Sequence, residues 1–213
     1  KNIPYAKYPV NDYSRTKIAA EKLILRANGT DGLLTCALRP SHVYGERDPH
    51  MDTVLRAVRS GKLVVLLGNP SQSRIDAVYA GNVAHAHVLA ALRLTDASAV
   101  PAGEAYHISE GLPINWWRLC DPYVQACGMR LPTWYVPNPL VFLLGVLIEI
   151  LHFFVSFFWF SFDPMPTRNI YKAICIDHFF THERATRDFG YHPRFTSDEA
   201  KKTAVRWFRE RRR

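Results

Sequence analysis

Apolar and polar positions change their spacing several times along the chain. Residues 12–28 carry Ile18, Leu23, Ile24 and Leu25 at helical intervals behind a capping Asn11 or Asp12, and Asn28-Gly29 stops the pattern; this predicts a helix. Leu33 to Leu38 is a nearly all-apolar run ended by Arg39-Pro40, as expected of a strand buried on both faces of a parallel sheet. Further along, the pattern predicts a helix over Met51–Ser60, a short strand over Lys62–Leu67 ahead of the Gly68-Asn69-Pro70 turn, and a strand closing at Val78. An Ala-rich helix over Gly81–Leu94, a strand over Ala105–Ser109 and a terminal amphipathic helix over Ser197–Arg209 complete the series. Short links between alternating strands and helices imply an α/β layered fold.

One stretch breaks this alternation. From Leu140 to Phe162 the chain reads LVFLLGVLIEILHFFVSFFWFSF, which as a helix would rise roughly 34 Å, enough to cross a bilayer core. Glu149 and His152 interrupt it on neighbouring helical positions, where they can pair with other helices, and Asp163-Pro164 ends it. Trp134, Tyr135 and Trp159 lie near its ends, where interfacial aromatics collect. A span, a helix lying in the membrane interface and a buried helical hairpin all fit this pattern.

Composition and charge narrow the classes. With 48% apolar residues the 213-residue chain can form a real core, and wholesale disorder is excluded. The net charge of +8 is partly held in the terminal run Arg206–Arg213, which suits an anionic membrane face or a solvated tail. No zinc-finger spacing or RNP-like aromatic strand accompanies it, so nucleic acid is not an expected partner. Cys36, Cys120, Cys127 and Cys175 show no CxxC spacing and sit among apolar neighbours, as reduced, packed thiols on the cytosolic side do; a metal site is not expected. The start, Lys1-Asn2-Ile3-Pro4-Tyr5, has neither an initiator Met nor a signal-peptide core and reads as a cut within a longer protein.

The chemistry concentrates in Tyr13-Ser14-Arg15-Thr16-Lys17. Positions four apart share a helix face, so Tyr13 and Lys17 can act on one substrate atom and one cofactor. An ammonium beside a phenol favours the phenolate, which can take the proton of an alcohol whose carbon gives hydride to a nicotinamide. Taken alone, a Tyr-x-x-x-Lys is equally a core Tyr beside a solvated Lys.

Four further segments, in order, lift that ambiguity. The helix continues as Ile18-Ala19-Ala20-Glu21, and the strand after it ends in Arg39-Pro40-Ser41-His42-Val43-Tyr44-Gly45. Asp76-Ala77-Val78-Tyr79 leads into Asn82-Val83-Ala84, and Tyr106-His107-Ile108-Ser109-Glu110-Gly111 follows. Together these resemble the extended short-chain dehydrogenase/reductases. Pro4-Tyr5-Ala6 and the late hydrophobic segment narrow the likeness to the 3β-hydroxysteroid dehydrogenase family. Thr167-Arg168, Tyr171-Lys172 and Asp177-His178-Phe179-Phe180 place the tail nearest its 42E branch.

The resemblance implies the carboxy-terminal part of a Rossmann-type doubly wound parallel sheet, with a small substrate domain and a membrane-associated helical segment. It divides the chain into a partial catalytic domain with interleaved substrate-domain elements over 1–110 and a substrate-domain remainder over 111–139. The hydrophobic segment over 140–162 and a carboxy-terminal region over 163–213 follow. It implies Tyr13 as proton acceptor, with Lys17 holding the nicotinamide ribose and favouring the Tyr13 phenolate. Pro40 and Val43 would contact NAD or NADP, although each also has a packing role. Tyr44 and Arg74 are candidate substrate contacts, and Arg74 could instead pair with Asp76 on the surface. The Gly-rich pyrophosphate turn is absent from these residues, as is the Ser or Thr that precedes the Tyr in the family.

The expected activity is oxidation of a secondary 3β-hydroxyl on a steroid- or sterol-like molecule, at the endoplasmic reticulum membrane with the catalytic part facing the cytosol. The chain alone is expected to be inactive. A homodimer is compatible with the family. Two other functions use the same residues: a catalytically incomplete chain or membrane interaction protein, and an enzyme resembling nucleotide-sugar epimerases.

Overall fold

The computed structural model describes residues 4–7, 9, 11–96, 98–156 and 167–211. Positions 157–162 of the apolar run, Trp159 among them, lie outside the described residues, as do Asp163-Pro164 and the last two arginines. The elements are, in order, α1 Asp12–Arg26, β1 Ala37–Pro40, β2 His42–Tyr44, α2 Pro49–Arg59, β3 Leu66–Leu67, β4 Ala77–Tyr79, α3 Ala80–Arg93 and β5 Ala105–Ile108. Then come α4 Trp116–Ala126, β6 Tyr135–Val136, α5 Asn138–Ser156, α6 Arg168–Cys175, α7 Glu183–Phe189 and α8 Ser197–Glu210. They form two compact units: one holds residues 1–43, 77–112 and 180–197, the other 44–76, 113–179 and 198–213.

In the first unit β1 and β5 run parallel, with Ala37 opposite Ala105 and Pro40 opposite Ile108. The strand thus begins at Ala37, later than the predicted Leu33–Leu38, because pairing with β5 sets its limits; Leu33 is half exposed. Alternate residues Tyr106 and Ile108 of β5 point into a core completed by Val78, by Ala86 and Ala90 of α3, and by Ala185 and Phe189 of α7. Small residues on α3 let it approach closely. Tyr106 meets Phe189 edge-on at 5.0 Å, and its hydroxyl donates to Asp188 at 3.0 Å. Gly190, at φ +72°, supplies the left-handed residue that ends α7. Tyr191 then turns back to donate to the Ser109 carbonyl at 3.2 Å.

The second unit is mainly helical. Asp48 caps α2 by accepting from the His50 amide, and Pro49 opens the helix with its preset φ. One turn apart, Met51 and Leu55 then face Cys120, Tyr123, Val124 and Cys127 of the α4 region and Ala204 and Phe208 of α8. Asn115 caps α4 through the Trp117 amide at 2.9 Å while its own amide group donates to the carbonyls of Gln72 and Ser73. The Trp117 indole reaches the Leu67 carbonyl at 2.9 Å. β3 and β6 pair in parallel beside these helices.

Candidate active site

The first unit presents α1 with a well-made start. Asn11 accepts hydrogen bonds from the amide and hydroxyl of Ser14, both at 2.9 Å, which fixes the first turn in which Tyr13 sits. Lys17 follows one turn later, and its Nζ lies 5.6 Å from the centroid of the Tyr13 ring. Tyr13 is 69% exposed and Lys17 is exposed as well. Among the described residues neither the phenol nor the ammonium is hydrogen-bonded within the chain. Both are therefore available to a bound molecule.

Glu21 continues the same stripe at i+8, and here the helix is held. Arg39 of β1 donates to both oxygens of Glu21, at 2.9 Å from Nε and 2.5 Å from its terminal nitrogen. The Tyr5 hydroxyl adds a third bond at 2.8 Å. This fork sets how α1 is rotated about its axis, because it ties the far end of the stripe to the strand residue just before Pro40. The Arg39 hydrogen bonds hold the Glu21 carboxyl below the ordinary Glu range, against its partial burial. A carboxylate so depressed stabilises the fold above its unfolded pKa of about 4.3, and that contribution disappears as pH falls through the folded value. Glu21→Gln should therefore melt below the parent at pH 7, with the gap closing on acidification below pH ~4. Thermal melts of both proteins across that window check this; a gap of constant size would show that the pair contributes nothing through its charge.

The other predicted positions are spread over both units. Pro40 is exposed at the end of β1 and Val43 is 39% exposed on β2, both in the unit that carries Tyr13. Tyr44 and Arg74 belong to the other unit. Tyr44 is buried at 1% exposure, and Arg74 is an exposed side chain whose carboxylate partner is Asp177 at 3.8 Å. Glu21 and Arg39 were visible in the sequence only as letters of a motif. The available signal was an acid one turn after Lys17 combined with an Arg at a strand end.

The 3-beta hydroxysteroid dehydrogenase/isomerase family matches residues 1–138. A 3 beta-hydroxysteroid dehydrogenase/Delta 5-->4-isomerase of Mycobacterium tuberculosis is 35% identical over 201 residues, covering 94% of this chain and 53% of that protein. Short-chain dehydrogenase/reductase family 42E member 1 of Mus musculus is 34% identical, over 98% of this chain and 54% of its own length. A decarboxylating sterol-4-alpha-carboxylate 3-dehydrogenase of Mus musculus is 32% identical, over 100% of this chain and 59% of its own. The chain thus spans about half the length of the curated relatives it matches. Among solved structures, gox2253 superposes with a TM-score of 0.67 at 24% identity, covering 93% of this chain and 56% of that one. UDP-glucose-4-epimerase from Stenotrophomonas maltophila, solved with bound NAD, gives 0.62 at 18% identity, covering 96% and 56%. These structures share the Rossmann-like α/β fold.

Proposed function

The chain belongs to the 3-beta hydroxysteroid dehydrogenase/isomerase family, and from that membership we propose that the complete protein oxidises a secondary 3β-hydroxyl of a steroid- or sterol-like molecule with NAD or NADP. The observation that carries this is the Lys17 ammonium set 5.6 Å from the Tyr13 ring on one exposed stripe of α1. Tyr13 is the base that takes the hydroxyl proton of the substrate, with the Lys17 ammonium one turn away on the same stripe. Lys17 also binds ribose hydroxyls, while Pro40 and Val43 line the nicotinamide side. A bound nicotinamide supplies the acceptor for the hydride lost by the carbinol carbon. The Glu21–Arg39 fork keeps the stripe at a fixed azimuth.

The named relatives at 32–35% identity that act on 3-hydroxyls support the substrate class. The long apolar α5 supports a membrane-bound setting, at the endoplasmic reticulum with the catalytic unit in the cytosol, since a sterol partitions into the bilayer and can reach the site from there. The complete protein, incubated with NAD or NADP and either dehydroepiandrosterone or a 4-carboxysterol, should form reduced nicotinamide and the 3-ketone. The 213-residue chain by itself should form neither. Turnover of a nucleotide sugar in place of both sterols would overturn the proposal.

A further inference from the structure

The packing of α5 against α6 bears on how the apolar segment meets a membrane. Within the second unit α5 is anchored at its first residue. Asn138 accepts from the Asn69 amide at 2.9 Å and donates to Ser73 Oγ and to the Cys175 carbonyl, each at 3.1 Å. The chain comes back at Thr167-Arg168 against the middle of the same helix: a Cβ on Gly145 would lie 3.0 Å from the Arg168 nitrogen. There the Arg168 amide and guanidinium donate to Glu149 at 2.8 and 2.5 Å. α6 next runs antiparallel along the first half of α5, with Tyr171 meeting Phe142 at 5.3 Å and Cys175 ending beside Asn138. Immediately afterwards the Arg74 amide donates to Asp177, and His178 bridges to Ile75. The polypeptide therefore leaves and rejoins one unit at one end of α5.

Exposed apolar side chains run along the whole helix, with Leu140, Leu143 and Leu147 at 51%, 51% and 52% before Glu149, and they are most open at its end, where Ile150, Leu151, Phe153 and Phe154 are 49%, 56%, 73% and 60% exposed on one side of the helix. From Glu149 to Ser156 the helix rises roughly 10 Å, within the depth of one leaflet of a bilayer whose hydrocarbon core is about 30 Å thick. At the base of this projection stand Arg168, paired with Glu149, and one turn further along α6 Lys172, both exposed. Long cationic side chains are among those that settle at a headgroup layer.

We propose that α5 is a monotopic anchor: residues 150–156 enter the hydrocarbon of one leaflet, the Glu149–Arg168 pair rests at the headgroups, and the chain before Asn138 and after Thr167 stays on the same membrane face. This rests on the membrane reading given above but is separate from it. A complete crossing would draw Arg168, Asn169 and Lys172 into hydrocarbon along with the first half of α5, at a cost that side chains clustered at the interface avoid.

The test uses the complete protein made in the presence of sealed microsomal vesicles, with one epitope tag in the exposed 29–32 loop and another after the last residue. The protein should stay with the vesicles after alkaline extraction, and added protease should remove both tags or spare both. Removal of one tag alone would establish a crossing and overturn the proposal while leaving the membrane reading intact. Loss from the vesicles, with a dimer in solution, would instead overturn the membrane reading and give α5 a second copy as its cover. Ile150→Asp with Phe153→Asp, at positions 49% and 73% exposed, should lower vesicle retention at least about tenfold without changing the melting temperature. Retention unchanged by these two charges would also overturn the proposal.

Discussion

Tyr13→Phe in the complete protein should lower kcat for 3β-hydroxyl oxidation by about 10²- to 10⁴-fold and leave KM for the sterol within a few-fold. The substitution removes one oxygen from a side chain that is 69% exposed. Neither the cap on Asn11 nor the Glu21–Arg39 fork depends on that oxygen, so the melting temperature should hold. In the proposed reaction, what is lost is the group that receives the hydroxyl proton while the carbon–hydrogen bond breaks, an interaction worth most in the transition state. Lys17→Met should behave differently: with the charge beside the ring gone and the ribose contact gone, kcat falls and the KM for NAD or NADP rises together. Steady-state kinetics with sterol and cofactor varied separately distinguish the two outcomes. A Tyr13→Phe enzyme retaining more than about a tenth of parental kcat would remove the phenol from the chemistry.

That pair was legible because its geometry is local. A four-residue interval on a helix already fixes which side chains meet, and the cap at Asn11 delimits the start of the helix, which ends at Arg26 just ahead of Asn28-Gly29, without help from the rest of the chain. The same holds for α3 and α8, whose predicted limits fall within a residue or two of the observed ones. Where packing decides, the pattern along the chain is silent. α4 carries Pro122 in its interior, a residue that argues against a helix, yet Trp117, Leu119, Cys120, Tyr123 and Val124 are all buried along it. α6 and α7 have only eight and seven residues, too few for propensity to hold a helix in water, and α7 exists because Ala185 and Phe189 fill the core beside Tyr106. Within the site, the Glu21–Arg39 fork joins residues 18 positions apart, so only the fold could pair them.

Asn82 is the strongest case of a residue whose letter was visible and whose work was not. It sits at 0% exposure near the start of α3. Its Nδ2 donates to Glu110 at 2.9 Å and to the Phe195 carbonyl at 3.0 Å, while its Oδ1 accepts from the Phe195 amide at 2.9 Å. One amide side chain thus completes both backbone groups of a residue 113 positions away, and holds the carboxylate that also accepts from the Tyr79 amide. Asn82→Leu keeps the volume and removes all three bonds of a side chain that is itself fully buried. The expected cost is about 2–4 kcal/mol of stability. Because the bonds converge on the segment that follows α7, the loss should be felt there first. Hydrogen exchange of the Phe195 amide should accelerate to the rate of an exposed amide, while amides in the β1–β5 ladder should keep protection reduced only by the global loss. If Phe195 exchanged no faster than the ladder, the amide would be a passive filler of α3, and the closure of the first unit around its carboxy-terminal segment would need a different cause.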